Sequence, residues 1–195
     1  MADKPHESVP AWLADARSHW SNTGVERPPF AIDPGPEQES VWDYPRPPAL
    51  VADGREVVVG SADRPVARTT GAIRVCETAS PPTFYLPPDG VDFEQLVQGP
   101  GTSFCEWKGP ARYWCLAEGA AKANHGGSDV VVGWDYPTPF DEFSALAGFV
   151  SFYPGRIRCT VDGEVVQPQA GGFYGGWITN EIVGPYKGDA GTEGW

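Results

Sequence analysis

Hydrophobic positions fall along this chain in short runs rather than long stripes. Val57–Val59, Ala72–Glu77, Thr83–Leu86, Ala111–Leu116, Val130–Trp134, Phe149–Tyr153 and Ile157–Val161 are rich in branched and aromatic side chains. Each is bounded by Gly, Pro or Asp-Gly, the pattern of short strands. Asp53-Gly54 and Asp162-Gly163 are tight-turn dipeptides, and the second predicts a hairpin over 158–166. Asp92–Val97 predicts one short internal helix with Asp89 or Asp92 as its cap. Near the start, Ser8 reads as a helix cap and Pro10 as a first-turn residue. Trp12, Ala16 and Trp20 then share one helical face, a docking stripe for the main domain or a partner. Many short strands and little helix predict a mainly β protein. Its expected form is a single compact antiparallel β-sandwich or barrel-like domain with a short N-terminal helix and one short internal helix.

The pattern divides the chain into an arm over 1–40, a β domain over 41–169 and a Gly- and aromatic-rich segment over 170–195. Within the arm, 22–40 carries many prolines and few apolar residues and reads as extended linker. The last segment holds too many large apolar groups for a free tail. It is expected to pack on the domain and bury Phe173, Tyr174, Trp177 and Ile182. Trp42-Asp43-Tyr44-Pro45-Arg46-Pro47 returns at Trp134–Pro139 with five identities in six positions. A duplication would set two aromatic-acidic turns about a pseudo-twofold axis; recurrent turn chemistry would not. The looser echo of 107–111 in 186–190 reads as turn chemistry.

Composition narrows the class further. With 24 glycines and 21 prolines a helical bundle is excluded, and 41% hydrophobic residues exclude a disordered chain. The net charge of −12 repels phosphate backbones and anionic lipid, so neither nucleic acid nor membrane is an expected partner. No apolar run approaches the roughly 20 residues of a spanning helix. The N-terminus shows no basic region followed by an apolar segment, so a cytoplasmic location is expected. Cys76, Cys105, Cys115 and Cys159 are then reduced thiols, and no two are spaced as zinc ligands, so no metal is expected. No cofactor pattern is present.

Two stretches, Arg74–Asp89 and Thr102–Trp114, mix ionisable side chains with aromatics and rigid prolines, which suits a concave site. The first reads RVxETxxPPxxYxPxD and the second TxxCxxKGxAxYW; WDYPxP and GFVxFYPxR follow. Together they resemble the bacterial family catalogued as domain of unknown function 427. The ending FYGGWITxxIVGPxKGxxGTxGW is similar to tails of its longer members, so the resemblance covers about residues 38–195. It implies a small, mainly β, single-domain fold and no established reaction. Some members carry a nucleotidyltransferase-like label. That chemistry needs a Gly-Ser turn and a closely spaced Asp pair, and neither Gly60-Ser61 nor Gly127-Ser128 is followed by one.

Matching to the family pattern singles out Arg74, Glu77, Tyr85, Cys105, Lys108, Tyr113 and Trp114 as ligand-binding candidates. Glu77 is either a general base and ligand acceptor or a salt-bridged carboxylate. Lys108 either reaches an anionic or hydroxylated ligand or pairs with Glu77. Arg74 shares a strand face with Cys76 and either donates to the ligand or is a solvated strand-end charge. Cys105 is a nucleophile candidate beside Lys108, or a half-buried structural thiol. His125 reads as a loop histidine. Tyr85, Tyr113, Trp114, Trp134 and Tyr136 either line a ring-binding surface or belong to the core. The leading expectation is binding of a small polar or cyclic molecule between the two stretches. The alternatives are a small-substrate enzyme with Glu77 as acid/base and Lys108 as electrostatic stabiliser, and an interaction protein, in one case with a second copy of itself, docking through the Trp arm.

Overall fold

Two antiparallel sheets packed face to face make the body of the protein. The computed structural model describes residues 10–124, 127–192 and 194–195. In chain order the strands are β1 (Glu39–Ser40), β2 (Ala49–Asp53), β3 (Val57–Gly60), β4 (Pro65–Thr69), β5 (Ala72–Cys76), β6 (Thr83–Leu86), β7 (Leu96–Cys105), β8 (Gly109–Leu116), β9 (Val131–Asp135), β10 (Val150–Phe152), β11 (Cys159–Val161), β12 (Glu164–Val165), β13 (Gln167–Pro168), β14 (Trp177–Ile178) and β15 (Ile182–Val183). Helix α1 (Ala11–Ser18) precedes them and α2 (Glu118–Ala123) joins β8 to β9. The large sheet runs β2-β5-β6-β10-β9-β8-β7 and the small one β12-β11-β3-β4. The main core lies between them, with Val57 and Val59 on one side and Phe84, Leu86, Val150 and Phe152 on the other. Strand alternation sends Tyr85, between Phe84 and Leu86, to the opposite face of the large sheet, where a second aromatic cluster forms. The expected mainly β sandwich is therefore observed.

The local differences have physical causes. Strand β7 was not legible because Gly99-Pro100-Gly101 interrupts it. The chain bulges there, between Gln98 opposite Trp114 and Thr102 opposite Arg112, on an edge strand where a proline costs no ladder bond. The helix expected over 92–97 is only a 3-10 turn, Phe93–Gln95, with Asp92 accepting from the Glu94 N–H at 3.1 Å. From Leu96 the chain pairs with β8 instead, and those cross-strand bonds replace helical ones. The internal α-helix is α2, an alanine-rich segment that buries Ala120 and Ala121. The Asp162-Gly163 turn closes β11 onto β12, both residues having positive φ (46° and 82°) as a two-residue hairpin requires. Asp53-Gly54 closes no hairpin, because β2 and β3 belong to different sheets.

Helix α1 starts after Pro10; Ser8 lies outside the described residues. Its docking face is Leu13, Ala16, Arg17 and Trp20, one position round from the Trp12 stripe. Trp12 remains 59% exposed, although its ring meets Phe104 at 5.2 Å. The proline-rich stretch is packed: Phe30 stacks on Trp195, Ile32 N–H donates to Gly184 O, and β1 pairs with β15. The two WDYP copies differ in structure. Trp42 and Asp43 lie in a 3-10 turn, whereas Trp134 and Asp135 lie in β9, so no pseudo-twofold relates them. In the last segment Trp177 and Ile182 are buried, but Tyr174 is half-buried and Phe173 is 69% exposed. The tight approach of Gly175 to the Trp134 ring, where a Cβ would overlap the indole, holds that stretch on the outer face of the large sheet. Among the described residues no helix is long and apolar enough to cross a membrane.

Trp177 stacks on Phe84 at 4.9 Å and donates its indole N–H to Phe152 O at 3.0 Å. Trp177→Ala is expected to cost about 3–5 kcal/mol in urea unfolding. A loss under about 1 kcal/mol would show that the last segment contributes little to the core.

Candidate functional site

The second aromatic cluster opens into a cavity of about 270 Å³ on the outer face of the large sheet. Tyr85, Trp134 and Tyr113, three members of one transverse row of paired residues, form its floor. Ile73 lies opposite Tyr85, Tyr85 opposite Ser151, Ser151 opposite Trp134, and Trp134 opposite Tyr113. Paired residues project to the same face, so these side chains stand side by side. Ser151, the small member, is fully buried, and its hydroxyl has no hydrogen-bond partner among the described residues. Trp134 donates its indole N–H to the Tyr85 hydroxyl at 3.0 Å. Two residues beyond the row, Tyr136 packs on Tyr85 and Tyr153 on Trp134.

Cys105 and Lys108 enter from the β7–β8 hairpin. Cys105 pairs with Gly109, whose φ of +95° closes the three-residue loop between them. Lys108 is 7% exposed, with Nζ 5.7 Å from the Tyr136 ring centre. Among the described residues no carboxylate oxygen lies within 4 Å of this ammonium, and no oxygen accepts a hydrogen bond from it. Burial works to lower its pKa, but Cys105, Tyr85 and Glu77 around it outweigh burial and raise it, so Lys108 stays charged. Burial pushes the Tyr85 hydroxyl up to about 12 and Tyr136 well above its ordinary value. Both are therefore protonated donors at neutral pH.

The rim is built by residues distant in sequence. Trp20 donates its indole N–H to Glu106 at 2.9 Å, and its ring carries Lys187 Nζ at 3.7 Å and the Arg46 guanidinium at 4.4 Å. Buried Arg46 binds Glu77 at 3.2 Å and donates to the main-chain oxygens of Asn22, Thr78 and Trp195.

Of the seven residues read from the family pattern, Glu77, Tyr85, Cys105, Lys108 and Tyr113 line this cavity, as do Trp134 and Tyr136. Arg74 and Trp114 do not. In a regular strand residues 74 and 77 point to opposite faces, and adjacent residues 113 and 114 do so too. Arg74 lies in the middle of β5, donates to Glu39 at 3.1 and 3.2 Å, and has Nε 3.3 Å from Asp53. It stands outside this cavity and is not a solvated strand end. Trp114 packs toward the main core with Phe93 and under Arg112. Glu77 takes Arg46 as its ion-pair partner, not Lys108. The 107–111 and 186–190 echo placed Lys108 and Lys187 in equivalent positions, and both reach the same cavity. Trp20, Tyr153 and Tyr174 carried no such signal. All four cysteines are free, and His125 lies outside the described residues. Among the described residues no three His, Cys, Asp or Glu side chains gather as metal ligands.

Fold and site together define a two-sheet antiparallel β protein with an aromatic-walled cavity set over a buried ammonium. The chain belongs to the family described as Domain of unknown function (DUF427), which matches residues 49–167. No curated protein matches the sequence.

Removing Arg46 leaves Glu77 and three main-chain oxygens without their donor. Arg46→Ala is expected to lower stability by about 3 kcal/mol in chemical unfolding; a change within about 0.5 kcal/mol would show that the arm and tail are held by other contacts. A second test concerns acid. Burial works to raise the Asp53 carboxyl, but its hydrogen bonds and charge interaction with Arg55 prevail and hold it below its ordinary value. Its contribution to stability is thus complete above the ordinary carboxylate pKa of about 4 and is lost as pH falls through the lower folded value. Asp53→Asn should flatten the fall in urea midpoint between about pH 5 and pH 2. An unchanged acid slope would exclude Asp53 as a source of that dependence.

Proposed function

We propose that the protein binds a small, ring-containing polar molecule that carries an anionic group. The carrying observation is Lys108, a charged ammonium buried in an aromatic cavity, with no carboxylate oxygen of the described residues within 4 Å of it. A buried cation with no carboxylate in direct contact is costly, and an anionic ligand supplies that contact. Tyr85, Tyr113, Trp134 and Tyr136 offer ring faces for stacking, and the tyrosine hydroxyls offer hydrogen bonds. Cys105 sits beside them. Glu77 faces the cavity as an acceptor, but its pairing with Arg46 fits a fixed carboxylate better than an acid/base catalyst. The Trp arm docks on its own β7–β8 hairpin through Arg17 and Trp20, which favours the binding reading over docking on a partner.

Native mass spectra of gently purified protein should show extra mass that leaves on denaturation. Titration with an aromatic carboxylate such as benzoate should change the fluorescence of Trp20 and Trp134. Lys108→Met should weaken that response at least about tenfold, the worth of one charge-assisted hydrogen bond. A bare-chain native mass together with unchanged fluorescence would overturn the reading.

A further inference from the structure

We propose that Cys105 is the nucleophile of this cavity and that the molecule it takes presents an α,β-unsaturated carbonyl group. This inference rests on the ligand-binding reading above. Cys76, Cys115 and Cys159 are buried away from the cavity, and burial pushes their thiols up, Cys76 to about 11. Cys105 is half-buried and lines the cavity. A cysteine reacts as thiolate, which a neighbouring positive charge favours. Lys108, on the same hairpin, interacts directly with the Cys105 side chain.

Lys108 bears on the ligand as well as on the thiol. It is more than nine-tenths buried, it faces the cavity, and no oxygen of the described residues takes its donors. An oxygen that gains negative charge during reaction would be received there. The Tyr136 hydroxyl, which interacts with both Cys105 and Tyr85, adds a neutral donor to the same spot.

The surroundings select the type of reaction. Acyl transfer by a thiol ordinarily uses an adjacent base, most often an imidazole. Among the described residues the one histidine, His19, does not line the cavity, Glu77 is engaged by Arg46, and Glu106 accepts from the Trp20 indole. Conjugate addition needs no such base once the thiolate has formed. The sulfur electron pair forms a bond to the β-carbon, and the C=C π pair moves through to the carbonyl oxygen. The resulting enolate lies against the Lys108 ammonium and the tyrosine hydroxyl. The proton lost by the thiol returns at the α-carbon through solvent. Nothing leaves, and no oxidant or reductant enters.

N-Ethylmaleimide, a small cyclic unsaturated imide, is a direct probe. Brief exposure of the native full chain should give a single adduct, mapped to Cys105 by peptide mass and absent in Cys105→Ser. It should form roughly tenfold faster than at the same cysteine in urea-unfolded chain. Lys108→Met should remove that acceleration and Lys108→Arg should keep most of it, with melting curves establishing that each variant is folded. If Lys108→Met does not melt cooperatively, Tyr136→Phe carries the comparison and should slow the reaction severalfold. Labelling at another cysteine, a Cys105 rate no higher than in the unfolded chain, or a folded Lys108→Met as fast as the parent would each overturn the proposal. Cys105→Ser separates the two readings. Non-covalent mass retained by that variant upholds ligand binding even where labelling is slow. Accelerated labelling with no retained mass and no fluorescence response leaves the thiol chemistry standing and sinks the binding reading.

Discussion

The buried guanidinium of Arg46 joins three parts of the chain that lie far apart in sequence. It binds Glu77 at the end of β5, the main-chain oxygens of Asn22 in the arm and Trp195 in the last segment, and the face of Trp20. Arginine suits this place because its planar fork offers several donors in fixed directions and its face stacks on an aromatic ring. A lysine could not reach all of these acceptors at once. The same contacts that fasten the two ends of the chain also hold Trp20 and Glu77, which line the cavity.

Alternation across the large sheet divides the chemistry between its two faces. Phe84, Leu86, Val150 and Phe152 fill the space between the sheets, while Tyr85, Ser151 and Trp134 stand on the other side. Charged residues follow the same rule. Arg74 and Asp135 point away from the cavity and pair with Glu39 and Arg112, so their charges are used in holding strands together. What remains on the cavity side is an aromatic-rich surface with two buried ammonium groups, Lys108 and Lys187. The floor of the cavity falls within the family-matched region, whereas Trp20, Arg46, Tyr174 and Lys187 on its rim lie outside it.

Much of this was legible in the residues. Short β-prone runs bounded by turn formers gave the fold class, and the Asp162-Gly163 hairpin followed from its dipeptide alone. Five of the seven family-pattern residues meet in the cavity because segments 74–89 and 102–114 become β5–β6 and β7–β8 of one sheet. The exclusion of Arg74 and Trp114 was also available: an odd separation from Glu77 and Tyr113 puts each on the other face of its strand. Local rules failed where pairing overrode propensity, as in β7, where pairing with β8 on both sides of a Gly-Pro-Gly bulge carries the strand past it.

The sequence by itself thus determined strands β3, β5, β6 and β8 to β11, the Asp162-Gly163 turn, the acidic charge and the identity of most cavity-floor residues, because these depend on side-chain type and on spacing within a few positions. Only the tertiary structure decided that Glu77 makes its ion pair with Arg46 and not with Lys108, and that Trp20 and Lys187 meet at the rim. Those outcomes depend on which distant segments become neighbours, and that is set by sheet order and long-range packing, for which spacing along a single chain carries no direct signal.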